Sequence, residues 1–155
     1  MKTLIMLSAI PASGKSTWAK EYQENHPNTY IVSSDDVRME VTGGDWLDHS
    51  RQKEVWELFE KRIHEYGAIE NATVILDALN DVNEVRLKYL TTTPEFDKKI
   101  LVLFPSNLEK SQKYNGMRDP LVRVPADVLV GLVNKFEAPN EEVLKYVDEI
   151  IEVEW

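Results

Sequence analysis

Apolar residues recur along this chain in two rhythms. Short runs from Thr3 to Ser8, Thr29 to Ser33, Thr73 to Asp77 and Lys99 to Phe104 are rich in Ile, Val and Leu, and they read as strands buried on both faces. Between them the apolar residues space out to helical intervals. Trp18, Ala19 and Tyr22 mark one helix that stops before Pro27, and Val55, Phe59, Ile63 and Tyr66 mark the longest pattern, Ser50 to about Glu70. Shorter helices are expected from about Val82 to Leu90, from Asn107 to Tyr114, and from Pro125 to about Phe136, with Pro125 in the first turn where its missing N–H costs nothing. After Pro139-Asn140 a short acidic helix leads to Ile150 to Val153, whose apolar/charged alternation suits an edge strand. Val41 to Asp48, with Gly43-Gly44 and Trp46, and Asn115 to Pro120 read as irregular connectors.

Strands separated by helices predict an α/β fold of three layers: a mostly parallel five-stranded sheet with helices on both faces and right-handed crossovers. Such sheets bind ligands beyond the carboxyl ends of their strands. At 155 residues the chain is expected to form one domain, residues 1–155, with a lid at about 112–124. No cysteine is present, so disulfide and thiolate chemistry are excluded. No apolar run approaches the roughly 20 residues of a membrane span, and Met1-Lys2 leads directly into the first strand, so no membrane partner and a cytoplasmic location are expected.

Charge changes the picture in one place. The net charge of −9 argues against indiscriminate coating of nucleic acid. Val124 to Trp155 carries eight acidic and two basic residues, whereas Leu108 to Arg123 carries four basic (Lys110, Lys113, Arg118, Arg123) and two acidic. A local cationic patch on an acidic body suits one phosphorylated ligand.

The chemistry concentrates where the first strand turns into a helix. Ala9-Ile10-Pro11-Ala12-Ser13-Gly14-Lys15-Ser16-Thr17 fits the phosphate-binding pattern [AG]xxxxGK[ST]. Backbone N–H groups of Ala12 to Thr17 and the helix N-terminus would surround the phosphates of ATP, with Lys15 on the β/γ oxygens and the Ser16 hydroxyl on Mg²⁺. Gly14 lets the backbone approach the anion. Two further groups fall at strand ends. Asp35, after the second strand, is placed to orient an attacking hydroxyl and take its proton, and Arg38, one helical turn on, to hold a substrate phosphate. The plainer account of Asp35-Asp36 is a helix cap. Asp77 ends an apolar run in the manner of a carboxylate bearing on Mg²⁺, or else pairs with an arginine such as Arg38. Arg118 and Arg123 precede Pro125 and are the arginines a lid would close on the triphosphate; the sequence leaves open which of them acts. His49 and His64 lack a second metal-type ligand at a useful offset, and Trp46 and Trp56 read as core anchors.

Taken together, residues 9–22, SSDDVR at 33–38, VILDALN at 74–80 with NEVR at 83–86, and MRDPLVRVPADVL at 117–129 resemble the kinase domain of bacteriophage-type polynucleotide 5′-kinases, within the AAA-33/zeta-toxin-like group of P-loop kinases. The resemblance runs from Lys2 to about Phe136. It implies ATP- and Mg²⁺-dependent transfer to a nucleic acid 5′-hydroxyl, on DNA or RNA. In this chain it would assign Lys15 and Ser16 to ATP and Mg²⁺, Asp35 as general base, Arg38 to the phosphate 3′ of the accepting nucleoside, Asp77 as the essential strand-end acid and Arg118 as the lid arginine. Ser34 stands where the family pattern has arginine, and no phosphatase-type motif follows. An alternative with the same chemistry takes another hydroxyl: a hydroxymethylated base in phage DNA, a nucleoside or a small metabolite.

Overall fold

The computed structural model describes residues 1–45 and 48–154. Its chain order is β1 (Thr3–Ser8), α1 (Lys15–Asn25), β2 (Thr29–Ser33), α2 (Ser34–Thr42), α3 (Gln52–Gly67), β3 (Thr73–Asp77), α4 (Asn83–Thr91), β4 (Lys98–Leu103), α5 (Leu108–Gly116), a 3₁₀ turn (Pro120–Val122), α6 (Ala126–Lys135), α7 (Glu141–Lys145) and β5 (Glu149–Glu152). The five strands form one sheet in the order β2-β3-β1-β4-β5, and every neighbouring pair is parallel.

The sheet is parallel because its strands are apolar on both sides. In β1, Leu4 and Met6 point into a cluster with Val55, Phe59 and Ile63 of α3, Val37 of α2 and Leu90 of α4. Ile5 and Leu7 point the other way, onto Ala19 of α1 with Trp18 and Tyr22 packed beside it. Helices therefore cover both faces, and the pattern of unbroken apolar runs has its physical cause. β5 lies at the sheet edge with Ile150 exposed, as its alternating sequence requires. Among the described residues no helix is long and apolar enough to cross a membrane.

One segment differs from the sequence reading. Ser34 to Thr42 is a helix, so the connector expected from Val41 begins only at Gly43, whose left-handed backbone (φ 73°) ends α2 by donating its N–H to the Met39 carbonyl. The cap of α2 is Ser33, whose hydroxyl accepts the Asp36 N–H at 3.3 Å; the aspartates lie inside the first turn and are free of capping duty. Trp46 lies outside the described residues.

One buried cation holds the upper edge of the sheet together. Arg86, on α4, has no exposed surface. Its guanidinium donates to the Ser8 hydroxyl at the end of β1, to the carbonyls of Asn80 and Asp81 after β3, to the Asn83 side chain, and to the Glu137 carbonyl after α6. Phe136 lies against it, 5.3 Å from the ring centre. Desolvation pulls its pKa down while Asp81 and Glu137 oppose the shift, and it remains a cation at any physiological pH. Replacing it with leucine strands several buried acceptors, so Arg86→Leu is expected to cost about 3 kcal/mol or more. Lysine cannot reproduce the fork and should recover little. Urea unfolding checks both; a loss below about 1 kcal/mol in the leucine variant would show that these acceptors find water or other donors.

Candidate active site

The loop between β1 and α1 is shaped by two left-handed residues, Ala12 (φ 56°) and Gly14 (φ 87°). Such a turn can point successive N–H groups to one side, and this one leads into the N-terminus of α1, whose dipole favours an anion. A Cβ built on Gly14 meets nothing within 4 Å, so the space above the loop is open. Behind the loop the packing is tight. Ser111 of α5 donates to the Pro11 carbonyl at 2.5 Å, the Ala9 N–H donates to the Leu79 carbonyl at 2.8 Å, and the Asn80 side-chain amide donates to the Leu7 carbonyl at 2.7 Å. Asn80 is itself left-handed (φ 44°) and buried, with its side-chain oxygen unpartnered.

Both side chains that open α1 turn to the end of β3. Lys15 Nζ stands 3.4 Å from Asp77 Oδ1, and the Ser16 hydroxyl donates to Asp77 Oδ2 at 2.9 Å. Lys15 and Asp77 are both buried. The sequence left Asp77 between a cation-site role and a pair with Arg38; the arginine pair is not formed. Instead Arg38 faces Asp35, with Nη1 3.5 Å from its carboxylate, and donates from Nη2 to the Gln52 side chain at 3.1 Å. Arg38 is buried, and its Nε has no partner. Gln52 in turn contacts His49 Nδ1 at 3.2 Å.

One cleft of about 680 Å³ joins these groups, with Lys15, Asp35, Arg38 and Arg118 all on its wall. His49, Gln52 and Trp56 line it from before and within α3, Tyr89 from α4, and Val128 and Leu132 from α6. Burial, with Glu60 adding to it, pushes the Tyr89 phenol well above its ordinary pKa, so it is neutral wherever the protein works. Arg118 is reached through a short excursion whose base is fastened by Asn115, which bonds both the carbonyl and the N–H of Val124. Arg123 is exposed on this excursion, donates to the Arg118 carbonyl at 3.1 Å, and is not among the residues of the cleft wall.

Sequence reading missed His49 and Gln52. His49 is exposed on the cleft wall, and His64 pairs at the surface with Glu95. No linear signal marks Gln52; it is positioned because α3 starts there. Trp56 is half-buried, touching both the core and the cleft.

The residues present fit Mg²⁺ bound with a nucleoside triphosphate. Ser16 and Asp77 supply hard oxygens, and Asp77 Oδ1 is buried without a hydrogen-bond donor. Among the described residues no group of three or more His, Cys, Asp or Glu forms a metal cage, so the ion's remaining ligands would be phosphate oxygens and water.

The profile of a family described as an AAA domain matches residues 4–139. Among solved structures the chain is similar to Chaetomium thermophilum Kti12 in complex with ADP-AlF3, at TM-score 0.72 and 16% identity over 98% of this chain and 89% of that one. It is also similar to a chain of the Pnkp1/Rnl/Hen1 RNA repair complex, at TM-score 0.75 and 23% identity over 86% of this chain and 43% of that one. A third is shikimate kinase from Acinetobacter baumannii, at TM-score 0.61 and 13% identity over 99% of this chain and 84% of that one. At these identities the likeness is one of fold, and the fold is that of the P-loop kinases.

The open space above Gly14 separates stability from binding. Gly14→Ala forces an L residue into a left-handed backbone, an expected cost of about 1–2 kcal/mol in urea unfolding. The added Cβ also stands where a phosphate must approach, so ATP affinity measured by calorimetry is expected to fall about tenfold or more, equivalent to one hydrogen bond to a charged group.

Proposed function

This chain belongs to the AAA domain family whose profile matches it, and we propose that it is a kinase using Mg²⁺ and ATP to phosphorylate the 5′-hydroxyl of a nucleic acid end. One observation carries the reading: Asp35 and Arg38, a single helical turn apart on α2, share a cleft with the Lys15 end of the phosphate loop. That spacing gives a carboxylate to receive a proton and a buried guanidinium to hold the molecule that bears the hydroxyl.

In the proposed reaction the acceptor oxygen forms a bond to the γ-phosphorus of ATP, and the bond from that phosphorus to the β–γ bridging oxygen breaks. ADP leaves, and the hydroxyl proton passes to the Asp35 carboxylate. Lys15, drawn from Asp77 towards the phosphates, would neutralise charge on the β and γ oxygens, and Arg118 would add a second cation from the opposite wall. Ser16 and Asp77 would hold Mg²⁺, which supplies electrostatic relief for the triphosphate when bound. Arg38 would bind the acceptor's 3′-phosphate. Its guanidinium retains donors for this, because its neighbours are one carboxylate at 3.5 Å and one neutral amide.

A second reading keeps these steps and replaces the nucleic acid with a modified base, a nucleoside or a small metabolite. The overlay of nearly the whole chain on a small-molecule kinase favours it. Arg38 discriminates between the two. Transfer from γ-labelled ATP should show Arg38→Ala losing far more activity on 5′-hydroxyl oligonucleotides and nucleoside 3′-phosphates than on acceptors without that phosphate. Equal losses on both would favour the second reading.

The roles of the remaining groups are open to the same assay. Lys15→Ala is expected to abolish transfer. Asp35→Asn should leave ATP binding nearly intact and lower turnover about 10²-fold or more; unchanged turnover would remove Asp35 from proton transfer. Arg118→Ala is expected to lower turnover about 10³-fold, and full activity in that variant would move the role to Arg123.

A further inference from the structure

Beyond Arg38 the cleft becomes aromatic and apolar. Trp56 lies one helical turn past Gln52 on α3, and Gln52 is the residue bonded to Arg38. The indole is held from behind, edge to face with Phe59 at 5.2 Å and 76°, and Phe59 is held likewise by Tyr89 at 5.5 Å and 65°. A ring fixed by the core loses little freedom when something lies against it. The same cleft is lined by Val85 of α4 and by Val128 and Leu132 of α6. A polyhydroxylated acceptor would give up its water against the indole and these aliphatic side chains, although Asn80, Asp81, Lys88 and Lys135 elsewhere on the wall can hydrogen-bond. A flat heteroaromatic ring loses nothing of the kind, and the cleft's 680 Å³ is ample for a nucleoside beside the phosphoryl donor's tail.

The adjoining mouth has the opposite character. A second hollow of about 320 Å³ shares Asp35 and Arg118 with the main cleft and adds Asp36 and Asp119, so three carboxylates face one guanidinium. The chain as a whole carries a net charge of −9, while the stretch that supplies Arg118 also holds Lys110, Lys113 and Arg123. A polyanion continuing outward past Asp35, Asp36 and Asp119 meets repulsion at these carboxylates.

We infer that the acceptor site is one nucleotide deep: the base of the terminal nucleoside lies against Trp56, its 3′-phosphate meets Arg38, and any chain beyond that phosphate remains outside the site. The inference rests on the reading of this site as a 5′-hydroxyl kinase. Trp56 is then the residue that makes the acceptor a nucleoside, and Asp36 is one that keeps longer strands from gaining affinity.

The test compares three acceptors with γ-labelled ATP: a nucleoside 3′-monophosphate, its abasic ribose counterpart, and a short 5′-hydroxyl oligonucleotide. Calorimetry of the first two with the unmodified protein gives a readout that needs neither transfer nor a variant. The base-bearing mononucleotide is expected to exceed the abasic one in kcat/KM and in affinity by about tenfold or more, the effect of one stacked base. The oligonucleotide should be no better than the mononucleotide. Trp56→Ala should collapse the base preference, Trp56→Phe should keep most of it, and Asp36→Lys should improve the oligonucleotide selectively. Equal use and equal binding of base-bearing and abasic acceptors overturns the inference while leaving the kinase reading intact, as does an oligonucleotide that is about tenfold better. Base-dependent, Trp56-dependent binding without transfer to any 5′-hydroxyl supports the base site and sinks the kinase reading. Absence of both binding and transfer overturns both.

Discussion

A carboxylate at the end of a buried strand sets the terms for everything around it. Asp77 is nearly inaccessible to water, and the charge it carries there is tolerable only because Lys15 and Ser16 face it from the first turn of the neighbouring helix. That requirement fixes the loop. For Lys15 and Ser16 to reach the end of β3, α1 must begin directly beyond β1, and the loop joining them must turn through the left-handed residues Ala12 and Gly14. The geometry that satisfies a buried acid also leaves open space above Gly14, at the N-terminus of α1. A pair of this kind adds little net stability, since the desolvation of both ions offsets most of their attraction. What it provides is position: a lysine held beside the loop, and a carboxylate fixed at the end of β3 against the first turn of α1.

Arg86 applies the same logic one layer deeper. Its fork spans the end of β1, the turn after β3 and the segment following α6, three places far apart in sequence. The turn after β3 includes Asn80 in a left-handed conformation, which costs free energy unless neighbours over-determine it. Arg86 on its carbonyl and the Leu7 carbonyl on its side-chain amide do so. Rigidity beneath the site thus comes from a saturated cation, whereas function above it needs cations that are not saturated.

The sequence made the sheet legible because a parallel strand buried on both faces has a distinctive composition. β1, β2 and β3 occupy the expected residues, and β5 is the edge its alternation implied. The phosphate loop was legible for a related reason, since Gly14, Lys15 and Ser16 are each demanded by a local physical constraint. Helix α2 was harder. Consecutive aspartates also read as a helix cap, and only the cap at Ser33 reveals that they lie inside the first turn. The Asp35–Arg38 pair follows the i,i+3 spacing of a helix, but the other partners were not legible: Gln52 reaches Arg38 only because α3 packs beside α2, and nothing local says that Lys15 and Ser16 will both face Asp77. Trp56 packs against the core as its spacing implied, and its second face, on the cleft wall, was hidden by the same limit. A residue half in the core and half on a cleft wall has the spacing of a core residue.

Polar satisfaction separates the working part of the molecule from its frame. Folded proteins pair nearly all buried polar atoms, so the exceptions carry information. Among the described residues six buried side-chain atoms lack a hydrogen-bond partner, and four of them, Ser13 Oγ, Arg38 Nε, Asp77 Oδ1 and Asn80 Oδ1, belong to the phosphate loop, the cleft wall or the strand end between them. Scattered at random over the core they would signify only imperfect packing. Clustered around one opening they amount to two donors and two acceptors held ready at a fixed cost, and that cost is carried by the buried contacts of Arg86 and the two-sided apolar sheet. A ligand presenting phosphate oxygens, a hard cation and a hydroxyl would meet both kinds of demand together. An apolar ligand would meet none of them, and it would find its complement only further in, where the cleft turns aromatic.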